Sequence, residues 1–351
     1  MNRINFFRSK IPNCGLDLGS TWGKTVKVSG KGKTAVLENL ARLPWLPRDL
    51  EGPAQQGTKT RLLWEHLGLR DRVVISSMAG HSVIVKRVFF KSRPRKELEQ
   101  SIYKEARQYI PFDLNDVYLD YQVMGPGGKE DTLEVMLVAS KKKMVQDLIK
   151  IMDHGGLSLG IVDVDAFALS NCFEFNYPEL VSEPAYLLDI GGLQSIFTIF
   201  WKNQPVFFRE MSFGGRQLTD VISNQLEISR SEAEKIKLEG PASADQSEIT
   251  ALSKEIAATL SSWTQEIRRL IGFYQTSAPE AGQADRIFLS GGGSLLKGIK
   301  EFFQEELGME THHLDPWKNI RVSANDFDPR YLDSVKPQFV VATGLALRGI
   351  I

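Results

Sequence analysis

Gly15-Leu16-Asp17-Leu18-Gly19-Ser20 and Leu187-Leu188-Asp189-Ile190-Gly191-Gly192 share one pattern: an apolar run, an aspartate, an aliphatic residue and a glycine. Residues 25–29 and 195–200 follow as further strand-like runs, so each stretch reads as a hairpin whose turn carries the Asp and the Gly. Glycine in such a turn lets backbone N–H groups approach an anion, and a carboxylate at the strand end can hold Mg²⁺ through its waters. A single Asp-Gly hairpin reads equally well as an ordinary turn, since both residues are common there. Recurrence in the two halves of the chain carries more: it predicts two like domains facing each other, with a pair of turns able to clamp a polyphosphate.

Outward from the first hairpin, a Pro- and Gly-rich stretch over 44–57 precedes strands at 72–78 and 82–90, with Gly80 and His81 between them. A helix over 94–109 places Leu98, Ile102, Ala106 and Tyr109 on one face, and Pro111 blocks its continuation. Strands at 118–124 and 133–139 flank a Gly-Pro-Gly-Gly turn, and a helix over 141–153 is closed by Gly155. A short strand at 161–163 leads into a helix at 166–173. Residues 217–226, 231–238 and 248–273 are helical in pattern, and Trp263, Ile267, Leu270, Ile271 and Tyr274 recur at core-face spacing. The end returns to α/β: strand 286–289, the turn Ser290-Gly291-Gly292-Gly293, a helix at 295–307 and an apolar helix at 340–347.

With 351 residues and 42% hydrophobic content, the chain can bury a core of about two domains. Lys plus Arg equals Asp plus Glu at 43 each, which removes any global pull toward nucleic acid or an anionic membrane. Cys14 and Cys172 are too few and too isolated for a disulfide framework or a zinc site, so a reducing compartment is expected. The apolar run at 339–347 falls far short of the roughly 20 residues of a spanning helix. Met1–Lys10 reads as a short basic lead-in, since Phe6 and Phe7 beside Arg3, Arg8 and Lys10 make no signal peptide. His312-His313 lacks a partner at ligand spacing. Gly19 to Thr25 ends in Gly-Lys-Thr but has three residues between its glycines where a P-loop needs four, and a strand follows it where a P-loop needs a helix.

Asp17-Leu18-Gly19-Ser20 resembles the first phosphate motif of the actin-like superfamily, with Lys24 where actin-type members place a phosphate-contacting lysine, and Asp189-Ile190-Gly191-Gly192 resembles the second. Phe213-Gly214-Gly215-Arg216-Gln217-Leu218-Thr219 is similar to the glycine turn entering the helical subdomain, and Ala233-Glu234-Lys235-Ile236-Lys237 to the Ala-Glu-x-x-Lys helix of bacterial actins. Leu289-Ser290-Gly291-Gly292-Gly293-Ser294-Leu295-Leu296-Lys297-Gly298 is similar to the adenosine motif. The resemblance implies an α/β fold of the actin/Hsp70/hexokinase (ribonuclease H-like) type with duplicated domains, binding ATP or ADP with Mg²⁺. By it the nucleotide contacts are Asp17, Gly19, Ser20, Thr21, Lys24, Asp189, Gly191, Gly192, Gln194, Ser195, Gly214, Gly215, Gly291, Gly292, Gly293 and Ser294, with Glu234 and Lys237 flanking the nucleoside. Asp17 and Asp189 would hold Mg²⁺ through water. Asp163 is the candidate catalytic carboxylate that orients an attacking water, beside the reading that it caps the helix at 166–173. Leu193 and Gln194 stand where many members have Gly and Thr, which implies slow hydrolysis.

Ile110-Pro111-Phe112-Asp113-Leu114-Asn115-Asp116-Val117, Asp120-Tyr121-Gln122-Val123, Val162-Asp163-Val164-Asp165-Ala166-Phe167-Ala168-Leu169 and Gly344-Leu345-Ala346-Leu347-Arg348-Gly349 resemble the PilM family of type IV pilus assembly. That resemblance implies a cytoplasmic protein held at the inner membrane through the short cytoplasmic N-terminal peptide of a PilN-type partner, with other pilus assembly proteins as further partners. Residues 345–351 offer no amphipathic membrane-targeting helix of the FtsA kind, so attachment is expected through the partner. The expected division is a first core of 11–80 plus 158–184, an inserted αβ subdomain at 81–157, a second core of 185–220 plus 284–351 whose last helix is free to return to the first, and a helical subdomain at 221–283. An actin-fold small-molecule kinase and a filament-forming ATPase are the alternatives to a nucleotide-binding scaffold.

Overall fold

Residues 13–79, 83–128, 130–239, 246–277 and 282–350 are described by the structure, a computed structural model. The Met1–Lys10 lead-in and the Gly80-His81 turn lie outside them. Strands β1 (Cys14–Leu18), β2 (Trp22–Ser29), β3 (Val36–Pro44) and β4 (Val73–Met78) form a sheet with the later β8 (Ser158–Val164), in the order β3-β2-β1-β4-β8. β1, β2 and β3 are an antiparallel meander, while β4 and β8 add in parallel. A second five-stranded sheet repeats this plan: β9 (Ala185–Ile190), β10 (Ser195–Trp201), β11 (Gln204–Met211), β12 (Arg286–Ser290) and β13 (Glu310–His313), ordered β11-β10-β9-β12-β13. The repeated turn motif thus reports a repeated sheet, each Asp closing the central strand.

Being central, β1 and β9 are apolar almost throughout. Gly15 is required in β1 because helix α10 (Val340–Leu347) lies directly on it, and a Cβ there would come 2.1 Å from the Ala342 carbonyl oxygen. α10 also crosses α4 (Asp165–Asn176), with a Cβ on Gly344 only 1.8 Å from the Ala168 carbonyl. α4 in turn buries Leu169, Cys172 and Phe173 against Leu187, Phe200 and Phe288 of the second sheet. The crossed pair α4 and α10 therefore joins the two sheets through close backbone packing.

Between β4 and β8 the chain builds a third sheet from β5 (Val83–Lys91), β6 (Val117–Pro126) and β7 (Thr132–Lys141), in the order β5-β7-β6. Helix α2 (Arg95–Glu105) covers one face, burying Leu98 and Ile102 against Val88, Phe90, Val135 and Leu137. Helix α3 (Lys142–Gly155) leads back to the first sheet. It ends on Gly156 in the left-handed region (φ 67°), not on Gly155, which stays helical and packs against α1 (Pro53–Leu67).

α1 begins inside the Pro- and Gly-rich stretch at 44–57 and is an additional helix beyond the sequence pattern. Gly57 hides its period and is there for contact: a Cβ would stand 2.5 Å from His154 Cβ and from the Ile151 carbonyl. β3 and β11 are likewise additional strands; Pro205 is tolerated because β11 is an edge. The helices α5 (Gly215–Leu226), α6 (Arg230–Glu239) and α7 (Gln246–Ser277) fall where the pattern placed them. Trp263, Ile267, Ile271 and Tyr274 are buried as the core face of α7, and Trp263 stacks on Phe213 at 4.6 Å. The helix expected from residue 295 begins later. A 3-10 turn at Gly292–Leu295 comes first, Gly298 adopts φ 81°, and only then does α8 (Ile299–Leu307) start. The short α9 (Pro329–Val335) precedes α10.

Candidate functional site

β1 and β2 pair with Asp17 opposite Lys24, and the Lys24 ammonium donates to the Asp17 carboxylate at 2.5 Å. Gly19 lets the turn fold over this pair, with its carbonyl fixed by the Trp45 indole N–H at 2.8 Å. In the second sheet Asp189 ends β9 beside Ser290 at the end of β12, whose hydroxyl donates to it at 2.8 Å. The Gly191 N–H closes the second turn on the Gln194 carbonyl.

The two turns meet. The Leu193 N–H donates to the Ser20 hydroxyl at 3.2 Å, and a Cβ on Gly192 would lie 2.5 Å from the Thr21 methyl and 2.9 Å from Ser20 Oγ. Gly214 presses equally close: a Cβ there would stand 2.7 Å from the carbonyl oxygens of Gly191 and Gly192, which accept from the first amides of α5, Gly215 and Arg216. On the other side Gly291 (φ 79°) and Gly293 pack on Ile190, where a side chain would collide at 2.4 and 2.3 Å. The Gly291 amide is tied to the Pro337 carbonyl.

Lys237, from α6, donates to the Gly215 carbonyl, the Thr219 hydroxyl and Glu234, which also accepts from Thr219. Beside this network a hollow of about 10 Å³ is lined by Gly215, Leu218, Lys237, Leu238, Gly292, Gly293 and Leu296. That is no more than one water's worth of space.

The chemistry at the meeting of the turns is acidic around one lysine. Burial works against the Lys24 charge, but Asp17, with Asp189 and Asp165 behind it, offsets that and leaves its pKa raised. Burial raises the Asp189 carboxyl against the pull of Lys24 and Ser290. Asp165, at the first turn of α4, is pushed up to about 7 by burial and then by Asp17 and Asp189, with Ser77 and Lys24 opposing. No three His, Cys, Asp or Glu side chains among the described residues are grouped to hold a metal directly. A cation here would be held through its waters, and lysine, carboxylates and close-packed glycine turns together fit a magnesium-bound polyphosphate.

Most of the sequence-derived residues come together here, with three exceptions. The Asp163 carboxylate is engaged elsewhere: it accepts from the Val164 N–H and from Arg348. It does not cap α4, whose N-cap is Val164 without a side-chain bond. β8 runs on to Val164, so Asp165 is the carboxylate that opens the helix, and burial and then Asp17 push its pKa up to about 7. The signal was present as the second Asp of Val162-Asp163-Val164-Asp165. Ser195 and Ser294 are buried and spend their hydroxyls on the carbonyls of Phe213 and Gly291, as staples of the turns. Ser290, which the sequence shows only as part of the glycine turn, donates to Asp189, and Ser77, a partner of Asp165, carries no signal in the sequence.

A second concavity lies on the third sheet. Between α2 and the edge strand β6 lies a groove of about 600 Å³, lined by Leu98, Tyr103, Tyr121 and Val123 together with the charged Arg93, Arg95, Glu99 and Asp120.

These features have known counterparts. A family model described as type IV pilus assembly protein PilM matches residues 15–350. A chain in the solved PilM-PilN type IV pilus biogenesis complex is 26% identical, with a TM-score of 0.86 over 97% of this chain and 99% of that one. MreB5 of Spiroplasma citri bound to ADP is 12% identical, with a TM-score of 0.54 over 94% of each chain, a likeness of fold. Cell division protein FtsA of Bacillus subtilis (strain 168) is 21% identical over 229 residues, 61% of this chain, and the match spans 49% of that relative's length. No described helix is long and apolar enough to cross a membrane.

Proposed function

The chain belongs to the PilM family of type IV pilus assembly proteins, and on that footing we propose that it is an ATP-binding scaffold that grips the N-terminal peptide of a PilN-like membrane protein. The observation that carries the nucleotide half is the pairing of Lys24 with Asp17 under a turn that touches the Asp189 turn of the opposite sheet. Asp17 and Asp189 would hold Mg²⁺ through its waters, and the bound metal would neutralise phosphate charge. Lys24 supplies a fixed positive charge. The glycines at 191, 192, 214, 215, 291, 292 and 293 keep side chains off the phosphates and the nucleoside, while Glu234 and Lys237 border the hollow next to α5. Asp165, whose carboxyl is pushed up to about 7 by burial and then by the Asp17 charge, would hold a proton near the metal-binding carboxylates.

The partner half rests on likeness to a chain solved with PilN and on the groove of the inserted subdomain, residues 81–157. β6 is the outer strand of its sheet, so an extended peptide can add main-chain hydrogen bonds along it and set alternate aliphatic side chains against Leu98, Tyr103 and Val123. Such binding holds the chain at the cytoplasmic face of the inner membrane without a span of its own. The test is fluorescence anisotropy with a labelled N-terminal peptide of the PilN-like partner. Binding to the wild-type chain, weakened at least tenfold by Val123→Asp and little affected by salt, is the expected result. Equal binding by wild type and variant removes the groove from the reading.

A further inference from the structure

The face of the third sheet opposite α2 is not free. Val83 and Val138 pack with Ile196 and Phe208 of the second sheet and with Val164, Ala166 and Phe167 at the start of α4. Phe167 and Phe208 meet edge to face at 5.9 Å. Farther along β5, the Arg87 guanidinium pairs with Glu134 at 3.1 Å and reaches across to the β10–β11 hairpin, donating to the Pro205 carbonyl at 2.9 Å and to the Gln204 side chain at 3.2 Å. Arg87 and Glu134 are only 27% and 24% exposed. β5 thus lies across β11, covering an outer strand of the second sheet.

The inserted subdomain is continuous in sequence with the first sheet through β4 and β8, yet it holds the second. β11, β10 and β9 form one ladder, and Ile196 pairs with Asp189 itself. Moving the Asp189 turn away from the Ser20 turn therefore drags Ile196, Phe208 and Pro205 off the inserted sheet. The two turns touch through the Leu193 N–H and the Ser20 hydroxyl at 3.2 Å, so on the nucleotide reading such parting precedes any entry or release between them.

We propose that the inserted sheet is a clasp that keeps the cleft shut, with Arg87 as its latch across the β10–β11 hairpin, so that undoing this contact limits nucleotide exchange. This rests on the nucleotide reading of the cleft and adds its regulation. A hydrogen bond to a charged group and a planar guanidinium fork give the latch both strength and direction, and Lys cannot reproduce the fork.

The test compares wild type with Arg87→Ala and with Gln204→Ala, which removes one side-chain acceptor at the start of β11 and leaves the backbone ladder in place. A fluorescent ADP is released in stopped flow, and amide hydrogen exchange is followed at residues 189–195 and 205–208. Release about tenfold faster in Arg87→Ala, by a lesser factor in Gln204→Ala, with faster exchange in both segments, is the expected result. Unchanged release and unchanged exchange in folded variants overturn the clasp. If the wild-type chain binds no ADP, the nucleotide reading fails separately, and exchange in the two segments decides the clasp alone.

Discussion

Arg348 and Asp163, 185 residues apart in sequence, are joined by a hydrogen-bonded ion pair of 3.0 Å, with the carboxylate buried and the guanidinium half-covered. The pair ties the end of α10 to β8, next to the crossing of α4 and α10. Removing Arg348 leaves a buried carboxylate whose pKa burial already raises. Because Arg348 is 43% exposed, the loss falls below that of a fully buried pair. Arg348→Ala should destabilise by about 1–2 kcal/mol in urea denaturation, and nucleotide affinity should not change in Asp163→Asn. A large loss of nucleotide binding in Asp163→Asn would restore that residue to the site.

Asp165 is raised as well, by burial and then by the Asp17 charge. Its folded pKa of about 7 stands above the ordinary 3.8, so the folded chain keeps a proton that the unfolded chain has released. Stability from this group is therefore lost as pH rises from about 4 to about 7, and the penalty is complete above that. Asp165→Asn should match wild type near pH 4 and exceed it near pH 8, by an amount on the order of 2–4 kcal/mol. A stability difference that is flat across this window would contradict the burial of Asp165 among Asp17 and Asp189.

Leu193 stands 45% exposed on the second turn, with its amide occupied by Ser20. A bulky side chain there narrows the approach to a terminal phosphate. Steady-state hydrolysis should run below about 1 per second, the foot of the usual enzyme range, and Leu193→Gly should raise it. Turnover well inside that range in the wild-type chain would count against the scaffold.

Much of this was legible in the residues. The Asp-x-Gly pair predicts duplicated sheets because a central strand that ends in a carboxylate and a glycine turn leaves the same short pattern each time. The helix at Val340–Leu347 is apolar on all sides and was found to the residue. α1 was hidden because the residue that fits it to α3 is Gly57, a poor helix former chosen by contact across 94 positions. The true start of α8 was obscured because Leu295 and Leu296 continue its apolar pattern backward through a 3-10 turn. Alternation along β8 does not tell which of Asp163 and Asp165 ends the strand, so the carboxylate that opens α4 is not legible locally. Ser290 and Ser77 act only through partners distant in sequence, and no local pattern encodes that.

The measurement that bears most directly on the central claim is calorimetric titration of Mg-ADP into the wild-type chain, Asp17→Asn and Asp189→Asn. Each substitution keeps the shape of the turn while removing a carboxylate that faces Lys24 and the opposite sheet. Binding by the wild-type chain, weakened at least tenfold in each variant, is the predicted result. Absence of binding in the wild type, or equal affinity in all three folded chains, would contradict a nucleotide site between the turns.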